Sequence, residues 1–289
     1  MHRNIETFLG CDAEYADSQI VIFGAPFDST TSYRPGARFA SKVMRAESYG
    51  LETYSPYQDL DLTDFKIFDG GDLELCFGDT NLALNDIENF AQKIFADKKI
   101  PLMIGGEHLV TLGMFRAAVE KFPDIRVIHF DAHTDLRDDY LGAKLSHATV
   151  IRRVHDIIGD GKIFQFGIRS GDRPEFEFAA KHTRLKKFNF DGLDKVIAEV
   201  ADKPIYLTID LDVLDPAVFP GTGTPEAGGV TFLELMNAAL KVIKNCNVIA
   251  TDLLELSPPY DPSGISTATA LKILREMLIA IASKFKVSR

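Results

Sequence analysis

The chain has 289 residues and a formal net charge of −10, and it is 46% hydrophobic and 26% charged. These values are typical of a globular protein that buries a substantial core. Lys and Arg are scattered along the chain and form no basic stripe, so we expect no nucleic-acid partner. Charges interrupt the apolar stretches well short of the roughly 18 residues of a membrane span, so we expect no membrane association.

Cysteine usage and the first residues of the chain both favour a cytoplasmic protein. Cys11, Cys76 and Cys246 lie far apart and show no Cys-x-x-Cys spacing. They are expected to be small buried hydrophobes, not a disulfide framework or a zinc site. The N-terminal residues show no basic segment followed by an apolar one, which a secretory signal would require.

Short apolar runs alternate with segments of helical spacing along the whole chain. Predicted strands cover residues 19–23, 65–68, 101–104, 127–130, 162–167, 185–188, 205–209 and 247–254. Predicted helices cover residues 81–97, 109–121, 148–158, 191–201, 231–244 and 267–284. This alternation indicates a parallel sheet covered by helices on both faces. No repeat or linker interrupts it, so we expect a single domain over residues 1–289.

Acidic residues and a histidine follow two of the predicted strands directly. Asp131, His133 and Asp135 follow the strand at 127–130, and Asp210 and Asp212 follow the strand at 205–209. In an extended chain, residues i, i+2 and i+4 point the same way. Carboxylates crowded in this manner repel one another unless a positive charge lies between them. The pattern therefore predicts a pair of divalent cations.

The candidate ligands fall where an open parallel sheet binds its ligands, beyond the carboxyl ends of the strands. The residues at such ends are Asp28, His108, Asp131, Asp210 and Glu255. The four aspartates balance the charge of two dications, and His108 and His133 add nitrogen ligands. This mixed set suits manganese, iron, zinc or cobalt better than calcium. Two close metals can share a water and lower its pKa.

A simpler explanation of these residues is that the acids cap helices and His133 packs in the core. For one Asp-x-Asp motif that explanation would be preferred. Two such motifs at strand ends, with a further histidine ligand, favour the metal site. His129 lies inside a predicted strand, and His2, His155 and His182 lack a surrounding motif, so we assign these four histidines no role.

At this point the motifs resemble those of the ureohydrolase family, which includes arginase and agmatinase. The matching segments are Gly-Gly-Glu-His at 105–108, Asp-Ala-His-Thr-Asp at 131–135 and Asp-Leu-Asp-Val-Leu-Asp-Pro at 210–216. The resemblance extends to segments 34–38, 167–170 and 221–226. It implies a three-layer α/β/α fold with a mainly parallel central sheet, a binuclear Mn²⁺ centre, hydrolysis of a guanidino group to urea, and a homotrimer or homohexamer.

The resemblance also implies the role of each matching residue. One manganese would be bound by His108, Asp131, Asp135 and Asp210, and the other by His133, Asp131, Asp210 and Asp212. Asp131 and Asp210 would bridge the two ions. Asp135 would pass a proton to the leaving amine, and Glu255 resembles the acid that binds the guanidinium group.

His147 resembles the family's proton shuttle between solvent and the active site. An imidazole that titrates near neutrality suits this task. Alanine follows at position 148, where family members often have glycine. Residues 221–229 are expected to form a flexible loop near the mouth of the site. Residues 34–38 are interpreted as an anion clamp, a structural loop or a subunit contact.

The same resemblance favours agmatine as the substrate, with putrescine and urea as products. Arginases bind the substrate carboxylate through a Ser-Gly-Asn-type segment after the Asp-Ala-His-x-Asp motif, and residues 136–146 contain none. Asp138 and Asp139 would favour the free amine of agmatine if they line the mouth of the site, whereas Arg137 or Lys144 would favour a carboxylate. The alternatives are arginase, guanidinobutyrase or formiminoglutamase activity, a deacetylase of related fold or a binuclear phosphoesterase, and a non-catalytic metal-binding protein.

Overall fold

A computed structural model describes residue 1 and residues 6–285, with an eight-stranded sheet at its centre. The strands are β1 (Ile20–Ala25), β2 (Tyr54–Ser55), β3 (Leu60–Asp61), β4 (Ile67–Asp72), β5 (Ile100–Gly105), β6 (Arg126–Phe130), β7 (Ile163–Ile168), β8 (Arg184–Lys187), β9 (Pro204–Asp210) and β10 (Asn247–Leu254). The helices are α1 (Ala40–Ser48), α2 (Thr80–Ala96), α3 (Thr111–Lys121), α4 (Val150–Ile158), α5 (Arg173–His182), α6 (Leu193–Val200), α7 (Phe232–Asn245) and α8 (Ile265–Ser283).

The central sheet has the strand order β4-β1-β5-β10-β9-β6-β7-β8. Every neighbouring pair within it is parallel. The two short strands β2 and β3 form a separate antiparallel pair. The predicted three-layer fold with a mainly parallel sheet is confirmed.

Side chains from each strand alternate between two hydrophobic cores, one on each face of the sheet. In β1, Ile20 and Ile22 pack with α1, α6, α7 and α8. Val21 and Phe23, from the same strand, pack on the other face with α2, α3 and α4. Burial on both faces explains why these strands read as continuous apolar runs and not as alternating ones.

Two helices were not predicted, and each has a local reason. In α5 the segment Glu-Phe-Glu-Phe at 175–178 alternates with a period of two, which mimics a strand. In α1 the buried face includes Arg45, whose guanidinium group binds the carboxylates of Asp69 and Asp72. A buried ion pair of this kind hides the apolar spacing of a helix.

Two further expectations concern the surface. Cys76 is exposed, so the prediction that all three cysteines are buried is wrong for this residue. None of the helices within residues 6–285 is both long and apolar enough to cross a membrane.

The turn after β5 is tight because it runs against the backbone that follows β1. A Cβ atom on Gly106 would lie 2.0 Å from the carbonyl oxygen of Phe27. The backbone is held there by a hydrogen bond of 2.8 Å from Glu107 N to that same oxygen. Only glycine fits at this position, and the turn delivers His108 to the end of the sheet.

We predict that Gly106→Ala lowers the free energy of unfolding by about 3 kcal/mol, because the backbone of residue 27 must move. Gly78→Ala is the matched control, since a Cβ there meets no atom within 4 Å. Urea denaturation of the metal-free proteins measures both. A difference of less than about 1 kcal/mol between the two variants would contradict the packing argument.

Candidate metal centre and active site

The candidate site lies at the carboxyl ends of four adjacent strands, β5, β10, β9 and β6. His108 follows β5 and Glu255 follows β10, while Asp210 is the last residue of β9 and Asp131 follows β6. The sheet order therefore brings together residues that are up to 147 positions apart in the chain.

One imidazole nitrogen of His108, Nδ1, faces three carboxylates. This nitrogen lies 3.0 Å from Asp131 Oδ2, 3.2 Å from Asp135 Oδ2 and 3.4 Å from Asp210 Oδ2. Nδ1 is buried and makes no hydrogen bond of good geometry with any described residue. Nε2 lies 2.9 Å from the hydroxyl oxygen of Thr208. When Nε2–H donates to Thr208, the lone pair of Nδ1 is free to bind a metal.

A second group of candidate ligands shares Asp131 with the first. His133 Nδ1 lies 2.9 Å from Asp212 Oδ2 and 3.5 Å from Asp131 Oδ1. Asp131 thus presents one oxygen to His108 and the other to His133, as a residue that bridges two ions would. Asp210 faces His108 with Oδ2, whereas its Oδ1 accepts a hydrogen bond of 2.8 Å from Asp212 N.

Two acids of this cluster, Asp135 and Asp210, have raised pKa values, whereas the pKa of Asp131 lies well below its ordinary value because its histidine neighbours outweigh the effect of burial. Burial, followed by repulsion from Asp131, raises the pKa of Asp135 to about 7. Burial, together with repulsion from Asp212 and Asp131, raises the pKa of Asp210 well above its ordinary value. Divalent cations would remove this penalty, because they restore the charged form of each acid. The donor set and the unpaired His108 Nδ1 both fit a metal centre.

His129 belongs to this site, although the sequence analysis gave it no role. Its Nε2 lies 2.8 Å from Asp131 Oδ2, and the side-chain nitrogen of Gln165 lies 3.1 Å from its Nδ1. A proton donated by Gln165 to Nδ1 leaves Nε2–H to hold Asp131 in place. The sequence could have indicated this role, because His129 on β6 precedes Asp131 by two residues and so points the same way.

The other histidines without a role lie elsewhere. Asp160 Oδ1 lies 2.7 Å from His155 Nε2 and 2.8 Å from His182 Nδ1, on the surface between α4 and α5. His155 Nδ1 is buried and makes no hydrogen bond with a described residue, and Asp156 Oδ1 lies 4.0 Å from it. His2 lies outside the described residues.

Two site acids have a left-handed backbone, which is costly for residues other than glycine. The φ angle is 52° at Asp135 and 63° at Glu255. Such strain clusters at functional sites, where it aims a side chain. Asp135 therefore reaches the cluster through a left-handed turn, and not through the strand alternation predicted from sequence.

Glu255 is a buried acid held beside the metal cluster. Its Oε1 accepts a hydrogen bond of 2.8 Å from the backbone N–H of His108. Burial, followed by repulsion from Glu107 and Asp212, raises its pKa well above the ordinary value. A cationic ligand would stabilise the ionised form of this acid.

His147 lies at the pocket wall, with Nε2 3.3 Å from Ser32 Oγ and Nδ1 3.2 Å from Ser146 Oγ. Burial, assisted by the positive charge of His133 and His108, lowers the pKa of His147 to about 4. This pKa lies below the near-neutral value expected from the sequence. The imidazole is neutral at pH 7 and able to accept a proton.

A pocket of about 220 Å³ opens over these groups. Its acidic lining residues are Asp135, Asp172, Glu175, Asp210 and Glu255. Arg137 is the one Lys or Arg in the described lining, and its guanidinium lies 2.9 Å from Asp172 and 3.1 Å from Glu175. The arginine is thus neutralised, and the pocket as a whole is acidic.

The acids expected at the mouth of the site lie elsewhere. Asp138 binds Arg153 at 2.9 Å, and Asp139 accepts a hydrogen bond of 3.2 Å from Gly142 N. Neither they nor Lys144 line the pocket. The sequence analysis expected acidic residues at the pocket but named the wrong ones, because Glu175 lies in helix α5, which was not predicted, and Asp172 caps the start of that helix.

Two loops flanking the site are fastened by hydrogen bonds. Arg169 donates to the carbonyl oxygens of Asp212 and Glu226 at 2.7 and 2.8 Å, and Asp215 accepts from the backbone at residues 228 and 229. The loop at 221–229 is therefore tied down, against its predicted flexibility. Arg34 donates to the carbonyl oxygen of Thr222, which favours the structural role for segment 34–38 over the anion clamp.

Comparison with known proteins agrees with this architecture. The family model described as the arginase family matches residues 18–280. The chain is 46% identical over 278 residues to an agmatinase of Bacillus cereus, covering 95% of this chain and 96% of that protein. An agmatinase of Bacillus subtilis is 45% identical over 277 residues, with the same shares covered.

Solved structures give the same result. A Clostridium difficile protein with a provisional agmatinase assignment superposes with a TM-score of 0.92 at 56% identity, covering 94% of this chain and 100% of that one. The family match, the identities to the relatives and the His/Asp cluster all indicate the same family. The chain belongs to the arginase family and is a ureohydrolase that acts on guanidino compounds.

Proposed function

We propose that the enzyme hydrolyses agmatine to putrescine and urea at a binuclear manganese centre. The observation that carries this proposal is the acidic pocket above the His/Asp cluster, whose arginine is already paired with two acids. A ligand with a cationic group at each end fits that charge distribution. Agmatine has a guanidinium group at one end and an ammonium group at the other.

The metals would be held by the two groups that share Asp131. One ion would take His108, Asp131, Asp135 and Asp210, and the other His133, Asp131, Asp210 and Asp212. Their oxygen-rich ligands, with one imidazole for each ion, favour manganese over copper or a thiolate-bound metal. When bound, the metals lower the pKa of water and neutralise the carboxylates.

The chain's own residues orient the guanidinium group and move protons. Glu255 offers a buried carboxylate to the guanidinium, and its hydrogen bond from His108 N fixes its direction. Addition of water to the guanidinium carbon, followed by cleavage of the bond to the alkyl nitrogen, requires a proton on the leaving amine. Asp135 carries that proton, and neutral His147 exchanges it with solvent.

The far end of the pocket selects the other end of the substrate. Asp172 and Glu175 attract an ammonium group there, and they keep Arg137 from binding a carboxylate. We also propose that the enzyme is cytoplasmic and forms a homotrimer or homohexamer, in line with the family resemblance.

We predict a preference for agmatine over arginine of about 100-fold in kcat/KM, because a carboxylate without partners costs about 3 kcal/mol. Urea release from agmatine, arginine and 4-guanidinobutyrate, measured side by side, gives the order. A preference for arginine or 4-guanidinobutyrate would leave the family assignment intact but overturn agmatine as the substrate.

Two variants, in each of which one acid is replaced by its amide, provide a test and a control for this prediction. Asp172→Asn keeps a residue that caps α5 but releases Arg137 from one partner, so the agmatine preference should fall. Asp138→Asn changes an acid outside the pocket and should leave the preference as it is.

We predict that chelation abolishes activity and that Mn²⁺ restores it better than Zn²⁺ or Ca²⁺. Asp210→Ala should bind fewer than two ions per chain, because it removes a shared ligand. Metal content should also fall as the pH drops below about 7, since protonation of Asp135 competes with the metal. Metal analysis of dialysed samples measures this, and full activity of the metal-free protein would contradict the mechanism.

We predict that His147→Asn lowers kcat by about 10- to 100-fold while two ions per chain remain bound, because His147 moves protons and is not a ligand. His182→Asn, on the far surface, is the control and should keep normal kcat. Loss of metal from the His147 variant would place this residue in the coordination sphere instead.

A further inference from the structure

Glu107 is a buried acid that the proposed chemistry does not use. Its side chain is fully inaccessible to solvent, although it neighbours His108 in the chain. Its carboxylate contacts the loop that follows β1. There it accepts hydrogen bonds from Thr30 N at 2.9 Å, from Thr31 Oγ1 at 3.1 Å, and from the hydroxyl of Thr30.

The hydroxyl of Thr30 connects Glu107 to His147. The backbone N–H of His147 donates to Thr30 Oγ1 at 3.0 Å. Because that N–H can only donate, the hydroxyl proton of Thr30 is left for the carboxylate of Glu107. The two hydrogen bonds therefore run in one direction: the N–H of His147 donates to Thr30 Oγ1, and the hydroxyl of Thr30 donates to Glu107.

The same loop also contacts the imidazole of His147. Ser32, two residues after Thr30, places its hydroxyl 3.3 Å from Nε2. The loop contains no helix or strand between residues 26 and 36. Its base is tied by Asp28, which accepts from Gly36 N at 2.7 Å, and its tip is tied by Glu107.

We propose that Glu107 is a positioning residue that fixes the loop at residues 28–32 and, through Thr30, sets the position of His147 at the pocket. This inference rests on the proposed function, in which His147 moves protons. In the turn at residues 105–108, the last residue, His108, is the proposed metal ligand. The residue before it, Glu107, positions the proton-transfer residue His147. The sequence motif indicates the role of His108 but not that of Glu107.

Thr30→Val tests this connection most cleanly, because it removes the shared hydroxyl without changing charge near the metals. We expect kcat to fall about tenfold, since small displacements of a reacting group are costly. Metal content and KM should stay near normal. Thr31→Val is the matched control, because Thr31 binds Glu107 but not His147, and it should lose at most about twofold.

A double-mutant cycle separates positioning from general loss of structure. In the His147→Asn background, Thr30→Val should lower kcat by less than about twofold, because the group that it positions is already gone. The same tenfold loss in both backgrounds would overturn the proposal.

Hydrogen exchange provides a readout that does not need activity. Glu107→Gln places an amide donor where three donors converge, so amide exchange should rise together in residues 28–32 and 146–149 of the metal-loaded protein. Unchanged protection of residues 146–149 would overturn the proposal even in an active enzyme. Failure to hydrolyse agmatine, with coupled exchange preserved, would instead overturn only the proposed function.

Discussion

Repulsion among buried aspartates is the constraint on which the rest of the structure depends. Asp131, Asp135, Asp210 and Asp212 are all buried and lie around two imidazoles. Burial, and after it repulsion between the carboxylates, raises the pKa values of Asp135 and Asp210, so the protein alone disfavours the charged forms of these two acids. Divalent cations held there, as proposed, would stabilise the charged forms of these acids and would link metal binding to the stability of the site.

The parallel sheet satisfies this constraint by rigid placement. The four central strands end at one edge, and side chains behind the candidate ligands contact them: the hydroxyl of Thr208 lies beside Nε2 of His108, and His129 lies beside Asp131. Partners of this kind orient metal ligands and tune their affinity. Asp135 and Glu255, whose backbones are left-handed, complete the site beyond the ends of the regular strands.

Much of the fold followed from sequence, because strands buried on both faces and helices with one apolar face leave simple patterns. The helices α1 and α5 did not, since a buried ion pair at Arg45 and the alternation at 175–178 concealed their period. Within the site, strand alternation predicted that Asp131 and Asp135 lie together, but Asp135 reaches the site through a left-handed backbone conformation and not through an extended strand. Contacts across the chain, such as Arg137 with Asp172 or Thr30 with Glu107, have no local signature and required the structure.

The most direct test of the account is a crystal structure of the manganese-loaded protein, with anomalous scattering measured at the manganese edge. The account predicts two anomalous peaks, one against His108 Nδ1 and the other against His133 Nδ1, with Asp131 between them and His129 bound to Asp131 but to no metal. A single peak, or an ion ligated by His129, would contradict the claim that charge balance at these four aspartates organises the site.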